Sequence, residues 1–308
     1  MMSAEPNVKN NAMEEIIYRI ACAPGTTPGT GICFAAKTSG LFRSTDSGQI
    51  WAYALDSLNL ETALPALDVV LSPDFANDKM VFAGVPGGIL YSFDRGETWQ
   101  VVPFGSPPPV VCALVISPNY VQDGILLAGT MEDGVFRCAN RGQDWHSWNF
   151  GLLDLNVLCL AISPNFAADE TLFAGTESGI FCSTNGGRAW KEINLPIGYE
   201  PVISLALSPA YAQDKTLLAG TETQGLYQST DGGKQWMRLA AAQIPTAVNQ
   251  IICSPDNILI LSQDEVFQSK DNGASWQQLN TGVLTLSTPT AAGVPVLAGM
   301  DNGDISSL

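Results

Sequence analysis

Several kinds of residue are scarce in this sequence. The 308 residues include a single histidine, and charged residues make up only 14% of the chain. Fourteen Lys and Arg stand against 30 Asp and Glu, for a formal charge of −16 at pH 7. Nucleic acids and anionic membrane surfaces are bound through clustered Lys and Arg, so the composition argues against both as partners. An acidic surface instead accepts a basic segment of another protein, or serves solubility alone.

Long apolar runs are also missing. No stretch of about 18 or more apolar residues occurs, so we expect no membrane-spanning helix. Residues 1–24 lack a basic segment followed by an apolar core, so we expect no secretory signal in this sequence. These absences predict a cytoplasmic location.

What the sequence does contain is a repeat. Six segments approximate Ser-x-Asp-x-Gly-x-x-Trp, and the intervals between their tryptophans are 48, 46, 45, 46 and 40 residues. A period near 45 residues is the size of a four-stranded propeller blade. The segments are STDSGQIW (44–51), SFDRGETW (92–99), CANRGQDW (138–145), STNGGRAW (183–190), STDGGKQW (229–236) and SKDNGASW (269–276).

Each repeat contains the signals of four short strands. An apolar run ends in Ser-Pro, a second run reads like LFAGT (172–176), a third leads into the box, and a fourth follows the tryptophan. β-Branched and aromatic residues fill these runs, and Gly or Pro separates them. The sequence predicts an all-β propeller of seven four-stranded blades, six of them with such a turn. The alternative is six blades with an irregular C-terminal extension.

The chemistry of the box explains why it recurs. The Ser and Asp oxygens can accept backbone N–H bonds inside a tight turn, the Gly permits a positive φ, and the Trp packs on the blade. The pattern resembles the Asp-box, or BNR, repeat of the sialidase-like propellers and covers about residues 16–308. Asn140 and Asn185 replace the Asp and Cys138 replaces the Ser, but each keeps an acceptor, so those turns should survive.

The termini determine how the ring closes. Residues 16–308 are predicted to form one propeller domain, whose seventh blade stops before a box or a fourth strand. Residues 1–15 form an N-terminal segment that is available to complete this last blade. Without closure, open strand edges invite aggregation.

The seven cysteines do not suggest a metal site. There is no CxxC motif, and His146 is the single histidine, so zinc is not expected. Cys22, Cys112, Cys159 and Cys253 fall in corresponding strands of different repeats, where side chains lie too far apart to bridge. The sequence predicts buried, reduced thiols and no cofactor.

The resemblance also implies which residues an active sialidase would need. That family uses three arginines, a Tyr–Glu pair, an acidic Asp and a Phe/Tyr-Arg-Ile-Pro motif. Here Tyr18, Arg19 and Ile20 match the start of the motif, but Ala21 stands where Pro would be. The other arginines precede or lie within boxes or on an outer strand, so no triad forms. We predict a protein that is not an enzyme, in which Arg19 is a paired residue lining the channel.

Other Asp-box families give two further comparisons. The glycan-cleaving tandem propellers are larger and secreted, and their acid pair has no counterpart that can be located here. The photosystem II assembly propeller is a single non-enzymatic propeller, but it is exported and binds through a basic patch. We predict a non-enzymatic interaction platform or accessory subunit of a larger assembly. The alternatives are a glycan-directed hydrolase or lyase, and a structural module of a longer or multi-subunit system.

Two sets of residues are candidates for partner binding. The turns between second and third strands are mostly acidic and should form an arc around one mouth of the channel, suited to a basic segment of a partner protein. The irregular loops between blades share that face and present apolar side chains, whereas a small-molecule or glycan ligand has no support. The acidic candidates are Glu132, Asp133, Glu177, Glu222, Asp264 and Glu265, and the loop candidates are Phe104, Phe150, Leu152, Leu153 and Tyr199.

The opposite face repeats a motif of the form Ser-Pro-x-Phe/Tyr-x-x-Asp. Its four copies are SPDFAND (72–78), SPNYVQD (117–123), SPNFAAD (163–169) and SPAYAQD (208–214). Regular recurrence predicts a structural role, in which the aromatic residue fastens the loop to the blade and the Asp caps the turn.

Overall fold

The strands of this protein group into sheets in the order in which they occur along the chain. The structure, a computed structural model, describes residues 15–25, 29–105, 107–289 and 296–308. Strands β1 to β24 form six antiparallel groups of four, and β25 to β27 form a group of three. The chain is therefore an all-β propeller, and we call these groups blades 1 to 7.

The bounds of the strands are short and regular. Blades 1 to 3 contain β1 (Ile17–Ala23), β2 (Ile32–Lys37), β3 (Gly40–Ser44) and β4 (Ala52–Tyr53); β5 (Asp68–Leu71), β6 (Val81–Val85), β7 (Gly88–Ser92) and β8 (Gln100–Pro103); β9 (Val110–Ile116), β10 (Leu126–Met131), β11 (Gly134–Cys138) and β12 (His146–Ser147). Blades 4 and 5 contain β13 (Val157–Ile162), β14 (Leu172–Thr176), β15 (Ile180–Ser183) and β16 (Lys191–Ile193); β17 (Val202–Leu207), β18 (Leu217–Thr221), β19 (Leu226–Ser229) and β20 (Met237–Leu239). Blades 6 and 7 contain β21 (Gln250–Cys253), β22 (Ile258–Ser262), β23 (Glu265–Ser269) and β24 (Gln277–Asn280); β25 (Val283–Pro289), β26 (Leu297–Met300) and β27 (Ile305–Ser307).

The ring closes through its two inner strands. β1 pairs in parallel with β25, with Ile20 opposite Ser287, so blades 1 and 7 form one continuous sheet. The predicted contribution of residues 1–15 to the last blade falls on residues outside the described part of the chain, except for Glu15. Glu15 lies 3.8 Å from Lys37 at the end of β2, in blade 1.

Neighbouring first strands also meet through side chains. Ser204 in β17 lies opposite Gly220 in β18, and its hydroxyl donates to the carbonyl of Val248 in the next blade at 2.6 Å. A Cβ on Gly220 would lie 2.2 Å from the Ser204 Oγ and 2.6 Å from the Val248 oxygen. Glycine is therefore required here because the backbone of the next blade approaches so closely.

The box turns have the hydrogen bonds expected from their sequence. In the first box the Ser44 hydroxyl donates to Asp46 at 2.6 Å and accepts the amide of Gly48 at 2.9 Å. In the third box the amide of Gly142 reaches Cys138 Sγ at 3.0 Å, so the thiol replaces the hydroxyl. The expectation that the substituted boxes keep their turns is confirmed.

The Ser-Pro loops fold into single helical turns, α1 (Phe75–Asp78), α2 (Tyr120–Asp123), α3 (Phe166–Asp169) and α4 (Tyr211–Asp214). Their aromatic side chains are buried, and in α2 the Asp123 carboxylate accepts both the Ser117 hydroxyl and the Ile125 amide. The structural role predicted for this motif is confirmed.

A 3₁₀ helix at Asp56–Leu58 lies in the loop between blades 1 and 2. No helix in the described residues is long and apolar enough to cross a membrane.

The prediction that every thiol is reduced is wrong at one pair. Cys22 in β1 and Cys33 in β2 face each other in the antiparallel register and form a disulfide, with 4.1 Å between their Cα atoms. Comparison of equivalent positions in different blades missed this bond because both residues belong to the same blade. The five remaining cysteines, Cys112, Cys138, Cys159, Cys182 and Cys253, are free.

We expect loss of one box hydroxyl to destabilise the propeller. In Ser229→Ala the buried amide of Gly233, which the Ser229 hydroxyl accepts at 2.8 Å, loses its acceptor. An unsatisfied buried amide costs about 1–3 kcal/mol, so urea unfolding should show a loss of that size. The exposed neighbouring substitution Thr230→Ala should change stability by no more than about 0.5 kcal/mol. Equal effects of the two substitutions would contradict the role assigned to the box serine.

Candidate interaction site

One face of the propeller carries both the turns between second and third strands and the loops between blades, and we call it the loop face. Backbone hydrogen bonds join the two sets: the amide of Glu222 donates to the Pro201 carbonyl at 3.0 Å, and the amide of Asp301 to the Gly282 carbonyl at 3.0 Å. The box turns and the helical turns α1 to α4 meet on the other face, the box face, where the amide of Gly232 donates to the Lys215 carbonyl. The predicted division of the turns between two faces is therefore observed.

The structure brings the acidic candidates onto the loop face. Glu132, Asp133, Glu177, Glu222 and Asp264 are exposed. Glu265 is partly buried and accepts a hydrogen bond from the side-chain amide of Gln278 at 2.9 Å.

Two further acids on this face were missed by sequence reasoning. Asp154 accepts the amide of Ser178 at 2.8 Å, and Glu200, which is 9% exposed, accepts the amide and the hydroxyl of Thr223, both at 2.7 Å. Partial burial raises the pKa of Asp154, but hydrogen bonds from Asn156 and Ser178 outweigh burial and lower it overall. Each of these acids lies in an interblade loop and accepts hydrogen bonds from the turn between the second and third strands, about two dozen residues later, so we call them braces. An acid at this spacing before such a turn is the signal that could have identified them.

The cations near the loop face already have partners. Lys37 is 7% exposed, lies 3.8 Å from Glu15 and sits over the ring of Phe42 at 4.8 Å. Arg238 reaches up from the outer strand β20 and donates to the Pro245 carbonyl at 3.1 Å. The exposed charge of this face is therefore dominated by carboxylates.

The apolar loop candidates divide into two groups. Phe150, Leu153 and Tyr199 are 81%, 79% and 83% exposed. Phe104 and Leu152 are only 3% and 5% exposed, so the expectation that they present surfaces to a partner is wrong. The physical reason is that these two loops cross the seam between two blades, where the apolar side chain packs. Phe104, for example, stacks on Phe136 with 4.6 Å between ring centroids.

The first strands of the blades enclose a central channel with a cavity of about 370 Å³. Arg19 extends from β1 into this channel, and its Nε lies 3.5 Å from the Asp68 carboxylate at the start of β5. Asp68 also accepts the amides of Val69 at 2.8 Å and Leu114 at 2.7 Å. Burial raises the pKa of Asp68 and outweighs the opposing effect of Arg19 and these amides. Arg19 is thus the paired, channel-lining residue that the sequence predicted.

The cysteines of the channel wall serve as hydrogen-bond donors. Cys112 donates to the Val157 carbonyl at 3.1 Å and Cys159 to the Val202 carbonyl at 3.4 Å, each across a blade junction. Burial raises the pKa of both thiols to about 12, which keeps them protonated and weakly nucleophilic at neutral pH. Within the described residues no group of His, Cys, Asp and Glu is arranged to hold a metal ion. His146 is exposed on the outer strand β12, where the sequence placed it.

Residues 140–285 match the family model described as photosynthesis system II assembly factor YCF48. No curated protein is similar enough in sequence to count as a match. These residues run from the third box into β25, a little less than half of the chain.

The fold recurs in solved structures of low sequence identity. An ancestral GH74 enzyme has a TM-score of 0.74 and 17% identity over 94% of this chain, which spans 44% of that enzyme. YCF48 bound to D1 peptide has a TM-score of 0.68 and 14% identity, covering 95% of this chain and 91% of that chain. YCF48 from Cyanidioschyzon merolae has a TM-score of 0.67 and 12% identity, with 95% and 94% covered. Identities this low establish the fold alone. That fold is the β-propeller, and the six boxes of this chain resemble the Asp-box repeat.

Breaking the Arg19–Asp68 ion pair should make the stability of the protein depend on pH. In Arg19→Met the buried Asp68 carboxylate loses its cation, and we expect a loss of about 1–3 kcal/mol near pH 7. An acid whose pKa is raised by folding destabilises the fold as pH rises, so the loss should shrink as pH falls from 7 toward 4 and Asp68 takes up a proton. Urea unfolding across this pH range measures the difference. The double variant Arg19→Met/Asp68→Asn should lack this pH dependence, and a pH-independent loss in the single variant would refute the assignment.

Proposed function

We propose that this protein is a non-enzymatic interaction platform, acting as an accessory subunit of a larger assembly, and that it binds a partner protein through its loop face. The observation that carries the proposal is the charge of that face. Glu132, Glu177 and Glu222 are exposed, whereas Lys37 and Arg238 are engaged by groups of the propeller itself. A surface dominated by one sign of charge speeds encounter with a partner of the opposite sign and excludes partners of the same sign.

The chemistry of the partner follows from this face. Lys and Arg side chains of a basic segment would meet the exposed carboxylates, while Tyr199, beside the turn at Ser178, offers a large apolar contact. Aromatic side chains are enriched among the residues that dominate binding energy, and irregular loops on a rigid scaffold are common recognition elements. We therefore propose a basic segment with at least one apolar side chain as the bound element.

The similarities to known proteins support this proposal. The matching family model describes an assembly factor, and the structure of YCF48 bound to D1 peptide is a propeller of similar extent that binds a peptide. Because the identity is 14%, these similarities favour the class of function and leave the partner to experiment.

A glycan-directed hydrolase is the second candidate, and the similarity to the GH74 enzyme favours it. Glycoside hydrolysis generally uses two carboxyl groups about 5–9.5 Å apart across the scissile bond. Among the described residues lining the channel, Asp68 is the one acidic residue. Its carboxylate is paired with Arg19 and accepts hydrogen bonds from two backbone amides. Turnover of any substrate in a glycosidase panel would favour the hydrolase over the platform. The third candidate, a structural module of a longer system, predicts no partner binding by this chain alone.

Charge reversal on the loop face tests the proposed platform. We expect Glu177→Lys/Glu222→Lys to lose the partners that the wild-type protein captures from its native cell at low salt. We also expect wild-type capture to weaken as salt rises, because exposed charges are screened beyond about 10 Å at 0.1 M ionic strength. Mass spectrometry of the captured proteins is the measurement.

The matched control reverses two exposed acids on the box face. Asp144→Lys/Asp256→Lys changes the net charge by the same amount and should retain the partners. Equal capture by the loop-face variant and the wild type would refute the role of the acidic face. Equal loss in both double variants would point to net charge instead of a site.

The cytoplasmic location predicted from the sequence remains a proposal, and the cysteines offer a direct test. If the compartment is reducing enough to open the Cys22–Cys33 bond, protein from its native cell that is blocked at lysis and again on unfolding without reductant should yield seven blocked cysteines. The Cys22–Cys33 bond predicts five blocked cysteines in an oxidising compartment. Mass spectrometry of the blocked protein distinguishes the two counts.

A further inference from the structure

The first turn of a blade, which joins its first and second strands, carries a buried aromatic ring in blades 2 to 5. Each ring packs against the preceding blade, and we call it the staple. The staple of blade 2, Phe75, meets Phe34 of blade 1 with 6.4 Å between ring centroids. The staples of blades 3, 4 and 5 are Tyr120 against Phe82 at 5.9 Å, Phe166 in a cluster with Leu127, and Tyr211 against Phe173 at 6.0 Å.

Blade 6 departs from this pattern. Its first turn runs only from Ser254 to Asn257 between β21 and β22 and contains no aromatic residue. Leu218 of blade 5 occupies the position that Phe34 and Phe173 hold in their blades. Blade 6 therefore supplies no staple to the junction between blades 5 and 6.

A cavity of about 260 Å³ opens on the box face at this junction. Pro209, Leu218, Cys253 and Ile258 form its apolar wall, and Asp214 and Gln228 lie among its polar lining. An engineered apolar cavity of about 150 Å³ is enough to bind benzene, so this volume admits a single aromatic ring.

The polar lining favours a ring that bears a hydrogen-bond donor. The staples Tyr120 and Tyr211 are phenols, and their rings are buried at their junctions. At the blade 5–6 junction, Asp214 at the end of α4 lines the cavity. Its carboxylate accepts the Ser208 hydroxyl at 2.6 Å and the Thr216 amide at 2.8 Å, which fix its position at the rim. A phenolic hydroxyl entering the cavity would find this acceptor already oriented.

We propose that the cavity between blades 5 and 6 is a binding site for a phenol ring, which takes the place that a staple holds at the four junctions from blade 1 to blade 5. The ring comes either from an aromatic small molecule or from a tyrosine side chain of another protein. The site lies on the box face, so it is independent of the partner surface proposed for the loop face.

Ligand-observed saturation-transfer NMR with the full chain tests the site. The probes are 4-methylphenol, toluene, which lacks the hydroxyl, and the peptide N-acetyl-Ala-Tyr-Ala-amide. We expect 4-methylphenol to bind more tightly than toluene because only the phenol can donate to Asp214. Tighter binding of the peptide than of 4-methylphenol assigns the ring to a protein, and weaker binding assigns it to a small molecule. Absence of saturation transfer to all three probes would overturn the proposal.

Leu218→Phe provides the decisive variant, since phenylalanine occurs at this position in blades 1, 2 and 4. The larger side chain should project into the cavity and weaken 4-methylphenol binding by about tenfold or more, without lowering the melting temperature. Unchanged affinity of this variant for 4-methylphenol would mean that the probe binds elsewhere and would refute the proposal.

Leu127→Phe is the matched control. Leu127 holds the same position in blade 3, but there the staple Phe166 of blade 4 fills the space. The same substitution lies at a different junction and should leave the affinity for 4-methylphenol unchanged. A lower melting temperature in Leu218→Phe would mean that the blade 5–6 junction has no spare volume, which contradicts the proposal.

Discussion

The whole propeller depends on how closely neighbouring first strands approach one another around the channel. Apart from the β1–β25 pair, the described first strands share no backbone ladder with one another, so side chains bridge these strands. At Gly175 an added Cβ would lie 2.5 Å from both Cys159 Sγ and the Val202 carbonyl of the next blade. Glycine in the second strand makes room, and a polar side chain in the first strand spans the gap.

That spanning contact recurs at every junction of the ring, although its chemistry changes from blade to blade. An ion pair joins Arg19 to Asp68, and the Asp68 carboxylate accepts the Leu114 amide. The thiols of Cys112 and Cys159 donate to the carbonyls of Val157 and Val202. The Ser204 hydroxyl, the Gln250 amide and the Thr285 hydroxyl donate to the carbonyls of Val248, Leu286 and Tyr18, respectively. Because a donor or acceptor of suitable length is all that the position requires, residues that resemble catalytic groups can stand there as structural ones. Arg19, which belongs to the partial match with a sialidase motif, holds such a structural position through its ion pair with Asp68.

Much of the fold followed from the sequence because its determinants are local. A box serine and its glycine are four residues apart, so Ser183 and Gly187 reveal their hydrogen bond in the sequence itself. The disulfide between Cys22 and Cys33 was missed because it depends on the register of two strands. The burial of Phe104 was missed for a related reason, since it depends on the path of a loop across a seam between blades. Non-local geometry thus limited both the cysteine assignment and the list of candidate contacts.

The two faces use their acids differently, and this difference separates folding from recognition. On the box face, the Ser44 hydroxyl and the Ile50 amide donate to Asp46 and lower its pKa, and Ser275 and Ser269 act in the same way on Asp271. These carboxylates accept hydrogen bonds within their own turns, so oriented donors offset their negative charge. On the loop face, Asp154 and Glu200 serve as braces, while Glu132 and Glu222 remain exposed. The negative field of the loop face therefore arises largely from side chains that the fold does not need.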